Sequence, residues 1–186
     1  MNLHTFNLKS STNKEVKISG YASVFGKTDH HNDVIIQGAF ADSIAKHHQS
    51  CGSAIKLLWQ HDHTKPIGII SNIIEDNKGL LVEACINKDL RQTNEIVSLI
   101  NQGAVDSLSI GFNIEKSVVN QTGEREIFKA TLWEISIVTF PANSQAKIYR
   151  VHNRPSLELE YSSNIKEPWI TLHKLLFSKS KTIFKL

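Results

Sequence analysis

Residues 67–86 read IGIISNIIEDNKGLLVEACI. Two apolar runs, 67–76 and 80–86, flank Asn77-Lys78-Gly79, and this pattern predicts a β-hairpin. The stretches before it fit the same picture. AIKLLWQHDH (54–63) predicts a strand that runs into a charged turn. EVKISGYASVFG (15–26) roughly alternates apolar and polar residues, which offers Val16, Ile18, Tyr21 and Val24 for an inner face. The alternation shifts at Gly20, the mark of a bulge. TDHHNDV (28–34) predicts a polar loop, and GAFADSIAKHH (38–48) a helix with Phe40, Ile44 and Ala41 turned inward. After the hairpin, DLRQTNEIVSLINQG (89–103) predicts a helix with Thr93, Ile96, Val97 and Ile100 on one face and Gly103 at the C-terminal cap. SLSIGFNIE (107–115) and EIFKATLWEISIVTF (126–140) predict further strands, which Pro141-Ala142-Asn143 stops. Many strands with two interleaved helices predict a mainly β chain, a barrel or sandwich decorated by helices, and not the regular βαβ alternation of a doubly wound sheet.

The chain has 186 residues, 40% apolar and 21% charged, as expected of a globular domain with an appendage. Residues 1–150 hold 15 Lys/Arg and 15 Asp/Glu, whereas residues 151–186 hold 6 against 3 and supply the whole net charge of +3. This places a domain boundary near residue 150. The stretch 151–168 has linker composition, and Trp169, Leu172, Leu175 and Leu176 recur at helical spacing before the basic end KSKTIFKL. No apolar run approaches the roughly 20 residues that span a bilayer, and the first 15 residues carry no apolar signal core, so a cytosolic start is expected. Cys51 and Cys85 lack the spacing of a disulfide scaffold or zinc finger. A neutral body without a Walker-type loop argues against specific nucleic-acid binding.

Strand alternation puts Ser107 and Ser109 on one face of 107–112. Serine is a poor strand former, and a buried hydroxyl needs a partner. The plain reading is an edge strand with its polar face in water; the chemical reading makes one hydroxyl a nucleophile, which then needs a base. Among nine histidines, His61 is best placed, at the end of the apolar strand IKLLWQ. Glu134 lies inside the apolar run TLWEISIVTF, where a charge is costly unless paired. Alternation puts it on one face with Ser136 and Val138, and Trp133, Ile135 and Ile137 on the other. It could orient and stabilise the histidine, or it could be an edge carboxylate facing water. A metal alternative uses the pair His61 and His63, and a solvated loop is the simpler account of His30-His31. His47 and His48 end a helix, where positive charge is favourable without any function.

Four stretches in order carry a resemblance that covers about residues 15–148: GYASVFGKTDHHNDVIIQGAF (20–40), LLWQHDHTKPIG (57–68), LINQGAVDSLSIGF (99–112) and LWEISIVTFPANSQA (132–146). Together they resemble the tailed-bacteriophage prohead proteases, the serine proteases of capsid maturation. The resemblance implies a β-barrel surrounded by helices, similar to herpesvirus assemblin. It implies Ser109 as nucleophile, with Ser107 a rival that lines the same cleft, and His61 as general base. Glu134 takes the third place; the related viral enzymes use a second histidine there, but no histidine occurs between His63 and His152. Gly111 would let a substrate backbone approach closely. Asn143, with its neighbours in the 141–143 turn, and Arg150 are the candidates for stabilising the oxyanion.

The resemblance further implies cleavage of scaffold and major capsid protein inside the prohead, in the host bacterial cytoplasm. Self-association and contact with the portal are expected with it, and no cofactor, metal or membrane is implied; the composition of 151–186 predicts a docking or autoprocessing segment with self-cleavage within 151–168. A non-catalytic capsid or scaffold protein that keeps the fold is the main alternative, since fold alone does not fix function.

Overall fold

The computed structural model describes residues 15–50 and 54–152. Residues 153–186, with nearly all of the expected linker and the whole amphipathic tail, and Cys51 lie outside the described residues. The elements run β1 (Glu15–Val24), β2 (Asp33–Ile35), α1 (Ala41–Gln49), β3 (Lys56–Trp59), β4 (Asp62–Glu75), β5 (Gly79–Asn87), α2 (Arg91–Asn101), β6 (Ser107–Val119), β7 (Arg125–Val138) and β8 (Ile148–His152). The mainly β architecture with two helices is as the sequence predicts. The hairpin of 67–86 is the β4–β5 pair, with Ile74 opposite Leu81 and Glu75 opposite Leu80. β8 still pairs with β1 at His152, so the sheet runs past residue 150.

All eight strands join one sheet in the order β2-β7-β3-β4-β5-β1-β8, with β6 also on β7. β7 carries β6 along one edge. Its other edge holds β2 at residues 125–127 and β3 at residues 134–137, both parallel. The sheet does not close into a barrel by a continuous ladder. Its ends, β6 and β8, meet at the single bridge Ser107–Lys147. Two backbone bonds flank it, Leu108 N–H to Ala146 O at 3.0 Å and Ile148 N–H to Asp106 O at 2.8 Å. The next residues of β6, Ser109 and Ile110, share a cleft with Ala22 and Ser23 of β1. The opening in the sheet is therefore where the candidate chemistry sits.

The core is filled by branched aliphatics from nearly every strand, among them Leu57, Ile70, Leu80, Ile86, Leu108, Ile127 and Ile135, with Phe40 packed edge-on against Phe112. Such side chains suit a pleated surface buried on one side. α2 buries the expected face, Thr93, Ile96, Val97 and Ile100. It is followed by Gly103 in the left-handed region at φ +73°.

Several details differ from the sequence reading. Against β8 the register of β1 slips at Ser19/Gly20, as expected, but against β5 it slips between Tyr21 and Ser23. Ala22 therefore turns into the core, and Tyr21 is half-buried with its hydroxyl donating to Asp76 at 2.6 Å. α1 starts at Ala41, which is exposed; Ala39, just before the helix, takes the core position. His47 is not a solvated helix-end cation. It is buried and accepts the Ile55 N–H on Nδ1 at 3.1 Å, and burial pushes its pKa down.

Candidate active site

The charged turn expected around HDHTKPIG is only two residues long. Gln60 and His61 link Trp59 to its partner Asp62, and both have positive φ, +54° and +58°. Two-residue hairpin turns of this kind favour Asn-Gly, and each side chain in the left-handed region costs about 1–2 kcal/mol. Contacts with β7 hold the strained pair in place. Gln60 N–H donates to Ile137 O at 3.0 Å, its amide donates to Thr139 Oγ1 at 2.8 Å, and His61 N–H donates to Ser136 Oγ at 3.1 Å. Strain of this sort gathers at functional sites. Here it aims the imidazole back across β7.

His61 Nδ1 lies 2.6 Å from Glu134 Oε1. The carboxylate, on a residue only 4% exposed, accepts a second bond on Oε2 from Ser136 Oγ at 2.6 Å. A carboxylate oxygen accepting at Nδ1 fixes the tautomer with Nδ1–H donating. Nε2 is then the acceptor. Asp62, next in the chain, takes no part; its carboxyl bonds Thr64 and Lys65, which hold its pKa below the usual carboxylate range.

Register does the rest. Ser109 stands opposite Ser136 and Gly111 opposite Glu134. Ser109, itself 4% exposed, lines a cleft of about 340 Å³ together with His61. Among the described residues its hydroxyl makes no hydrogen bond. Nucleophile–base contacts are often long without substrate. Ser107 differs. It is fully buried, donates to Asp106 Oδ1 at 2.7 Å, accepts from Lys147 Nζ at 2.9 Å, and is absent from the cleft lining.

Gly111 has another reason than the expected one. A Cβ there would come within 2.3 Å of Glu134 Oε1, so the missing side chain makes room for the carboxylate. Asn143 does line the cleft, but its side chain is occupied: its amide donates to Val24 O at 3.1 Å, and its Oδ1 accepts the Gln145 N–H at 3.1 Å. Arg150 is not at this site. It lines a separate depression with Lys17, Glu83 and His152. His63 also parts from His61 and lines a second groove, and among the described residues no cluster of three or more His, Cys, Asp or Glu could hold a metal.

Sequence reading missed Ser136, Gln60 and the role of Trp133. Alternation does put Ser136 beside Glu134, and that was the available signal. Trp133 is the extra residue of a β-bulge, since Gly111 pairs with Glu134 but Phe112 with Leu132. The bulge shifts β7 from Glu134 on the site face to Leu132 in the core and leaves Trp133 53% exposed, not inside with Ile135 and Ile137.

The profile of the family described as caudovirus prohead serine protease matches residues 4–158. The prohead protease of Enterobacteria phage HK97 is 31% identical over 148 residues, 78% of this chain and 64% of that protein. The prohead protease of Escherichia phage T5 is 33% identical over 132 residues, 70% of this chain and 60% of that protein. The chain thus spans less than two thirds of the length of these two relatives. Among solved structures, the bacteriophage T4 capsid assembly protease superposes with a TM-score of 0.52 at 10% identity, covering 64% of this chain and 80% of that one. KSHV protease in complex with a hexapeptide phosphonate inhibitor superposes at 0.50 with 9% identity, covering 89% and 77%. At such identities the likeness is one of fold.

Proposed function

Since the chain belongs to the caudovirus prohead serine protease family, we propose that it is a serine endopeptidase that cuts capsid and scaffold proteins during prohead maturation. The observation that carries this reading is the His61–Glu134 contact of 2.6 Å at the rim of the cleft that Ser109 lines. Ser109 Oγ attacks the scissile carbonyl while His61 Nε2 takes its proton. The imidazolium that forms is stabilised by Glu134. The leaving amine departs with that proton, and water then cleaves the acyl-enzyme by the same route in reverse. Pro141, Ala142 and Asn143 line the cleft, and the N–H groups of Ala142 and Asn143 are the donors an oxyanion would find there.

The substrates in this reading are the major capsid protein and a scaffold protein, cut within the assembling prohead in the host cytoplasm. Self-association and portal contact belong to the same proposal. Residues 153–186, beyond β8, with linker composition followed by an apolar stripe and basic end, act as a docking segment that self-cleavage between 153 and 168 releases, since polar linkers are where proteolysis concentrates.

Co-expression with a candidate major capsid protein substrate tests the proposal. Wild type should shorten both the capsid protein and, with time, itself, whereas Ser109→Ala should leave both at full mass. Equal processing by the two overturns it. Processing that a chelator stops and a serine-directed acylating reagent does not would replace it with metal chemistry.

A further inference from the structure

Phe112 borders two cavities. Besides the cleft that holds Ser109, a groove of about 520 Å³ is lined by Leu58, His63, Gly111, Phe112, Trp133 and Glu134, among others. The two cavities are neighbours, since Phe112 lines both. They also follow one strand. Gly111 is two residues beyond Ser109 on β6, a step of about 7 Å at roughly 3.4 Å per residue. An extended peptide whose scissile bond lies at Ser109 passes the groove within about three residues.

The bulge in β7 gives this groove its outer wall. Without an extra residue between Leu132 and Glu134, a side chain at 133 would lie with Ile135 on the core face; with it, Trp133 turns out beside the catalytic pair. Bulges next to active sites re-aim side chains in this way. An indole left 53% exposed is a large apolar surface in want of a partner. The chemistry of the groove selects that partner. Its apolar walls are Leu58, Phe112 and Trp133, its polar lining is Lys56, His63, Asn113 and Glu134, and the carboxylate of Glu134 has one oxygen committed to His61 and the other to Ser136. A cationic side chain finds no spare acceptor on that carboxylate, whereas an apolar one finds three walls.

We infer that the groove beside Trp133 is a specificity subsite that takes one bulky apolar side chain of the polypeptide substrate, within about three residues of the bond cut. The inference rests on the protease reading of the Ser109 cleft. Trp133 is a specificity residue and takes no part in bond breaking.

The test uses the full chain and a set of quenched fluorescent peptides drawn from the capsid-protein cleavage region, varied one position at a time. A small alkyl fluorophosphonate that phosphonylates an activated serine serves as a second probe. Wild type should prefer Leu, Met, Phe or Trp over Ser and Asp at one position by about 10- to 100-fold in kcat/KM, the range a single apolar pocket supplies. Trp133→Ala should reduce that preference to about threefold at that position alone. Trp133→Phe should restore most of it, and Ser109 of both variants should still take up the fluorophosphonate, which shows an intact site. A preference unchanged in Trp133→Ala overturns the subsite. So does an equal loss with every peptide together with lost phosphonylation, which would make Trp133 a structural residue. A changed oligomeric state with the preference intact would make the groove a contact between copies instead. A wild type that the fluorophosphonate does not label sinks the protease reading itself, and that outcome is distinct from the others.

Discussion

Two serines two residues apart on β6 meet opposite fates. Ser107 sits at the seam where the ends of the sheet touch, with its hydroxyl spent on Asp106 and Lys147. Ser109 stands one pleat further, where the sheet has parted, in a cleft with His61. Both are buried and both share a strand face, so neither burial nor alternation tells them apart. What separates them is what their neighbours leave unsatisfied. At the seam, charged partners consume the hydroxyl; at the opening, His61 and Glu134 bond each other and leave the hydroxyl open to the cleft.

The largest expected effect breaks this comparison directly. Ser109→Ala should lower cleavage of the capsid protein by a factor on the order of 10⁴ or more, and His61→Ala should match it because members of one catalytic unit are not additive. Ser107→Ala should stay within about tenfold of wild type. Single-turnover digests of the three variants, read by gel, give the answer. A dead Ser107→Ala beside an active Ser109→Ala would reverse the two assignments.

Glu134→Gln comes next. An amide cannot stabilise the imidazolium and can hold the wrong tautomer, so a loss of roughly 10²- to 10⁴-fold in kcat is expected. Gly111→Ala should follow at about 10²-fold, the cost of displacing a catalytic group by about 1 Å, because the new Cβ pushes on Glu134 Oε1. The carboxylate is the far end of a flexible side chain, so the fold should persist, with an unchanged circular dichroism spectrum. A fully active Gly111→Ala would show that Glu134 is not held against His61 for catalysis.

The order of these effects shows what the sequence could and could not disclose. The face of α2 was legible because Thr93, Ile96, Val97 and Ile100 follow the helical period without interruption. Glu134 was legible because a carboxylate amid TLWEISIVTF is costly without a partner. The turn at Gln60-His61 was not, since neither residue favours positive φ and what holds them comes from Ser136 and Thr139, more than seventy residues away. The bulge at Trp133 was equally hidden, because it exists only in the pairing with β6. Gly111 was read as a gap for substrate because its neighbour Glu134 is remote in sequence. Arg150 was a candidate for stabilising the oxyanion, but pairing with β1 carries it to a separate depression.

The smallest effects concern stability, and they sharpen the contrast from the seam side. Ser107→Ala removes a hydroxyl bonded to two charged groups and should cost about 1.5–3 kcal/mol in urea unfolding while activity persists. Asp106 adds an acid dependence. Lys147, and then Ser107, hold its carboxyl below the usual range, so its contribution is present above the unfolded pKa of 3.8 and lost as pH falls through the lower folded value. Asp106→Asn should flatten the melting temperature over that acid window. His47 acts at higher pH with the same sign. Burial lowers its folded pKa, so the unfolded chain binds the proton first and stability falls as pH drops below about 6.5. His47→Gln should weaken that slope, and an unchanged slope would place the dependence elsewhere.

The central claim is that Ser109, and not its neighbour, is the activated hydroxyl. Mapping a small fluorophosphonate adduct by peptide mass spectrometry tests it most directly. One phosphonyl group should appear on Ser109 of the wild type, none on Ser109→Ala, and the reaction should be slowed on the order of 10³-fold or more in His61→Ala, which lacks the general base. An adduct on Ser107, or labelling of Ser109 that is indifferent to His61, would contradict the account.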